Sequence, residues 1–285
     1  MGIERITTTQ LKILNALATY KYLTPSLISR VTGIKYQSNI SKELTNLAER
    51  SYTSKSKRNC FTEEIHYIKN KKAMKSLDGS LEVENIHYAT NIRRFTEYNY
   101  PHTINSINCQ ITLYKSCKEI GLVPVFYYRE IDFVGNMRKD KNLKSATQIT
   151  TKHNWTLQPD AIFKLKSDSE RMYLFEYERR GRSNIKDIFE KIHKHTIILN
   201  EGYIKTQFDY KFGHRILFVF EEDSTMKGAM EYCKTIEGST DWFFFRKSSS
   251  IIPTFTRVPG SYIWEEADYF EGWLDCNGNS RNILH

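Results

Sequence analysis

Cysteine is sparse in this chain of 285 residues, and its arrangement excludes more than it suggests. The five cysteines (Cys60, Cys109, Cys117, Cys233 and Cys276) are scattered, odd in number and without a CxxC pair. That rules against a disulfide framework and against a zinc ribbon. No apolar run is long enough to span a bilayer, and Met1–Arg5 lacks the apolar core of a secretory signal. The expectation is a reduced, cytoplasmic protein. There is no GxxxxGK[ST] loop to cradle nucleotide phosphates and no GxSxG elbow for a serine hydrolase. Internal repeats and low-complexity stretches are also lacking.

What is present is charge, unevenly placed. Residues 1–75 hold 14 Lys and Arg against 5 Asp and Glu, while residues 76–285 hold 28 of each. The whole net charge of +9 thus lies in the first quarter of the chain. Such asymmetry points to a polyanion, most often nucleic acid.

That basic quarter also carries a pattern. Thr8 or Thr9 can cap a helix through Leu11, Leu14, Leu17 and Ala18. Thr24-Pro25 opens a second helix that stops at Gly33, because threonine caps well and proline suits the first helical position. A third follows Gln37, with Ser38 as its cap, through Ile40, Leu44 and Leu47. Off its apolar stripe lie Tyr36, Gln37, Asn39, Ser41, Lys42, Asn46 and Arg50, types that donate to phosphates and base edges. Two short strands around Tyr52–Asn59 and Glu64–Ile68 then form a wing, with Lys55, Lys57 and Arg58 near a phosphate backbone. The reading is a winged helix-turn-helix over 1–78, with protein–protein contact as its alternative use. A polar junction over 79–100 separates it from a larger domain over 101–285.

In the larger domain the periodicity predicts α, β, β, β, α, β, α, β, hence a mixed sheet flanked by helices. Its second and third strands, 158–165 and 171–178, form a hairpin about Asp168. Paired positions then sum to a constant, so Asp160 faces Glu176, and Glu178 shares their face. Three carboxylates on an otherwise apolar hairpin repel one another, and a divalent cation with oxygen ligands offsets that most directly.

The strand order, with Pro159-Asp160-Ala161 and Glu176-Tyr177-Glu178-Arg179, resembles the PD-(D/E)xK fold of restriction-type endonucleases. Joined to a winged helix, it is similar to the replication-relaxation family and to MobC-type relaxases of mobile elements, which nick at a transfer origin without a catalytic tyrosine. The resemblance implies DNA as partner, Mg²⁺ or Mn²⁺ held by Asp160 and Glu176, and metal-dependent nicking or cleavage, with His102 and Glu130 as further members of the site. It leaves open a second copy of the chain and other relaxosome or conjugation proteins as partners. Where the family often has lysine, this chain has Glu178. Either Glu178 binds metal or activates water, or the lysine role moves to the next helix, to Lys191 or Lys194. Failing both, the domain is an inactive nuclease fold in an accessory or regulatory DNA-binding protein. Arg179, Arg180 and Arg182 follow the carboxylates and suit flanking phosphates.

Overall fold

The computed structural model describes residues 6–56, 63–69, 99–134, 144–153, 155–166, 169–181 and 184–284. In chain order the main elements are α1 (Thr8–Tyr20), α2 (Pro25–Thr32), α3 (Gln37–Glu49), β1 (Thr53–Lys55), β2 (His66–Ile68), α4 (Tyr100–Glu119), β3 (Val123–Arg129), β4 (Ala161–Lys166) and β5 (Glu170–Glu178). They continue with α5 (Ile185–Glu201), β6 (Arg215–Phe220), α6 (Asp223–Cys233), β7 (Phe243–Lys247), β8 (Thr254–Val258), β9 (Ser261–Glu265), β10 (Trp273–Leu274) and β11 (Ser280–Arg281). Among the described residues no helix is long and apolar enough to cross a membrane.

The chain forms two compact units, 1–108 with 253–266, and 109–252 with 267–285. The division falls within α4, which is one continuous helix. Sequence pattern places everything beyond 101 in the second domain. The structure instead returns 253–266 to the first unit. The expected junction lies outside the described residues except for Asn99 and Tyr100.

The first unit holds three helices and two small hairpins. Thr7, rather than Thr8 or Thr9, caps α1: its hydroxyl accepts from Gln10 N while the Gln10 side chain accepts from Thr7 N, a reciprocal capping box. Thr24 caps α2 with Pro25 behind it, and Gly33 ends the helix at φ +75°. Strands β1 and β2 pair antiparallel, Lys55 opposite His66. The second hairpin pairs Phe255 with Trp264 and Arg257 with Tyr262. It is tied to α2 by Arg30, whose buried guanidinium binds the Glu266 carboxylate at 2.6 Å and lies over the Trp264 ring. That fully enclosed cation explains why a segment so late in the chain belongs here.

The second unit is a mixed α/β layer structure about a seven-stranded sheet, in the order β11-β10-β7-β6-β5-β4-β3. The pairs β5/β6 and β6/β7 are parallel, and the remaining neighbours are antiparallel. All eight elements expected from periodicity are present, in the expected order. Strand alternation sets the layers. Ile162, Met172, Leu174, Ile216 and Phe218 face Ile188 and Ile192 of α5, while Phe163, Phe175, Leu217 and Val219 face Cys109, Leu113 and Cys117 of α4. Both faces are covered, so β6 after Arg215 and the middle of β5, Met172–Phe175, are apolar. That makes the carboxylates at the end of β5 conspicuous.

Candidate metal centre

The β4/β5 register pairs Ala161 with Phe175 and Ile162 with Leu174. Continued one step, it sets Asp160 opposite Glu176, as the hairpin arithmetic expects. Asp160 sits just before the first residue of β4 and accepts from the backbone N–H of Tyr177 at 2.6 Å. Glu176 and Glu178 close the C-terminal end of β5, on the face that α5 covers. All three carboxylates are buried, Glu176 with 1 % of its surface exposed.

Helix α5 brings their counter-groups. Asn184 caps it by accepting from Lys186 N, and its apolar stripe of Ile188, Ile192, His195 and Ile198 seats it on the sheet. Lys191 Nζ then donates to Glu176 Oε2 at 3.0 Å and, closer still, to Glu178 Oε1. His195, one turn further on, sets Nε2 2.8 Å from Glu176 Oε1 and packs edge-on to Phe218. Burial raises the Glu176 carboxyl to about 8; Lys191 opposes that shift, and Asp160 and Glu178 add to it. Burial works to lower the Lys191 ammonium, but Glu176, Glu178 and Asp160 outweigh it and hold the amine protonated. The His195 imidazole is driven down to about 3 by burial, then by Lys191, so the ring is neutral. Among the described residues its buried Nδ1 has no hydrogen-bond partner.

Glu130 lies just past β3, where its N–H donates to the Asp160 carbonyl at 2.9 Å. Glu130 and Asp160 each offer one carboxylate ligand atom, and the two atoms lie within 4.8 Å of one another. Two carboxylates so placed could hold a divalent cation that takes oxygen ligands.

The expected site residues therefore divide. Asp160 belongs to the metal-ligating group, while Glu176 and Glu178 are engaged by Lys191 and His195. Of the two candidate lysines, Lys191 reaches the carboxylates; Lys194 pairs with Glu190 at 2.6 Å. Arg180 is exposed, 3.6 Å from Glu222, Arg179 is half-buried, and Arg182 lies outside the described residues. In the first unit Asn39 and Lys42 are exposed on α3, and Gln37 is half-buried there. Lys55 is paired with Glu64 at 2.8 Å, and Lys57 and Arg58 lie outside the described residues. From sequence alone His195 reads as a packing residue. Its spacing of four from Lys191, which puts both on one helix face, is the available signal of its second role. No family model, curated protein or solved structure matches this chain.

Proposed function

We propose that this chain binds DNA through an N-terminal winged helix and nicks or cleaves it with a PD-(D/E)xK-like, metal-dependent centre, as replication-relaxation proteins and MobC-type relaxases would. The observation that carries the reading is the convergence of Asp160, Glu176, Glu178 and Lys191 at one end of β5, where Lys191 supplies from α5 the amine that the motif usually carries two residues after its glutamate. Three helices followed by a small hairpin, with the chain's net positive charge in that segment, support the winged-helix part.

Asp160, with Glu130, would hold the cation, and oxygen ligands of this kind suit Mg²⁺ or Mn²⁺. Bound there, a divalent cation supplies Lewis acidity to the scissile phosphate and makes water more acidic. The Lys191 ammonium stabilises the charge that builds on the phosphate as water adds and the P–O bond to the leaving sugar oxygen breaks. Glu178 takes the proton from the attacking water. His195 fixes Glu176 in one rotamer and, being neutral, adds no competing charge.

A second reading has its own support. Lys191 already pairs with both Glu176 and Glu178, as it would in an inactive nuclease fold kept for binding. Supercoiled plasmid incubated with Mn²⁺ separates the two. The enzyme reading expects open-circular or linear product, reduced at least about a hundredfold in Asp160→Ala and in Glu176→Ala. DNA that is bound yet left intact by the wild type supports the second reading and overturns the first.

A further inference from the structure

The hairpin β8–β9 does more than close the first unit. Its tip lies against the start of α3, the end of a recognition helix that meets base edges in helix-turn-helix proteins. The Gly260 carbonyl accepts from Gln37 N at 3.0 Å, the Tyr262 N–H donates to Lys35 O at 3.0 Å, and Tyr36 bridges to Ser261. No side chain caps α3; the sequence leads one to expect Ser38, and the structure has Tyr36 at the cap with the hairpin carbonyl supplying the acceptor.

Two faces of the hairpin behave differently. Tyr262 is buried and Trp264 carries Arg30 on its ring, so β9 anchors the hairpin inward. Strand β8 is exposed from end to end. Arg257 lies over the Tyr262 ring and donates one N–H to Gln37 Oε1 at 2.6 Å. A guanidinium has five N–H donors in a rigid fork, so a group held by one bond and one ring still presents donors outward. Lys35 before α3 and Asn39 and Lys42 on it are exposed, and Tyr36 is 60 % exposed. Lys55, on the hairpin β1–β2 where the wing is expected, is meanwhile engaged by Glu64.

We propose that β8–β9 is a second, sequence-distant wing of the nucleic-acid surface, and that Arg257 binds a DNA phosphate beside the groove that α3 enters. Charge argues for DNA as the occupant. The excess of +9 in residues 1–75 favours a polyanion, and Arg257 adds a positive charge beside Gln37 at the start of α3. The inference rests on the DNA-binding reading above and deepens it by naming a phosphate-binding residue far from the basic quarter.

Affinity for a duplex of about 30 base pairs, followed against salt, tests it. Arg257→Ala takes one positive charge away from a phosphate. The magnitude of the log–log salt slope then falls by about one, and binding weakens about tenfold at 0.1 M salt. Arg257→Lys keeps the slope, because the charge remains. A weaker affinity in Arg257→Ala with an unchanged slope makes the hairpin a structural strap and overturns the inference, as does an unchanged affinity. A wild type whose DNA binding shows no salt dependence overturns the DNA reading itself, and the role of Arg257 with it.

Discussion

At the scale of single residues, Lys191 decides how the centre is balanced. Its ammonium sits between two carboxylates, one of them 1 % exposed, so it cannot leave without stranding buried charge. Removing one partner of such a group costs about 3–5 kcal/mol. Lys191→Met should therefore destabilise the protein by about 3 kcal/mol in chemical denaturation. Adding Glu178→Gln should restore part of that, because the stranded charge is then gone; strictly additive losses would count against a shared ion pair. Residues of this kind are unequally legible. Asp160 and Glu176 follow from hairpin arithmetic alone, since strand register is rigid once the turn is placed. Lys191 comes only through the family resemblance, because helix phase relative to a sheet is set by packing. Glu130 enters only as a further member of the site that the resemblance implies, and the β3/β4 pairing is what shows it beside Asp160.

At the scale of elements, local signals suffice wherever the stabilising partner is local. Capping residues and alternating apolar positions place α1, α2, α5 and the β3–β7 core to within a few residues. At α3 they place the helix but miss its cap, because its first N–H is satisfied by a carbonyl at Gly260, and they do not reach β8–β9. The Pro259-Gly260 pair, with Gly260 at φ +81°, is the turn signal for that hairpin. Strand β2 carries an acid-sensitive seam. His66 exchanges backbone bonds with Leu23 at 2.8 and 3.1 Å while its ring is buried in the first unit. Burial holds its pKa near 4 instead of 6.5, with Glu64 partly opposing. The unfolded chain thus binds the proton first as pH falls. Stability from this group is complete above about pH 6.5 and is lost between there and about pH 4, a contribution of about 3 kcal/mol. The denaturation midpoint should fall across that window, and His66→Gln should flatten the dependence. A parallel decline in the variant would assign the acid sensitivity elsewhere.

At the scale of the whole molecule, the basic first quarter and the buried carboxylates of β5 fall in different units, and the chain crosses between them more than once. Composition locates the basic surface in the first quarter, but no composition signal reveals that residues 253–266 return to it. That return is held by pairings between distant positions, among them Arg30 with Glu266 and the backbone bonds of Lys35 and Gln37 to Tyr262 and Gly260, and such pairings leave no local trace. The second unit should respond to metal as a whole. A cation bound by the folded state and not by the unfolded chain stabilises by mass action, about 2.7 kcal/mol at a hundred times its dissociation constant. For a domain of this size that corresponds to a rise in Tm on the order of 5–10 °C. Mn²⁺ and Mg²⁺ should each produce the rise, since Glu130 and Asp160 offer the oxygen ligands that both accept. Asp160→Ala should abolish both shifts, because Asp160 contributes to the ligand group and faces Glu176 across the hairpin. A Tm unmoved by millimolar Mn²⁺ in the wild type, or moved equally in Asp160→Ala, would remove the metal from this centre. The Lys191 ammonium would then be the only cation these carboxylates need.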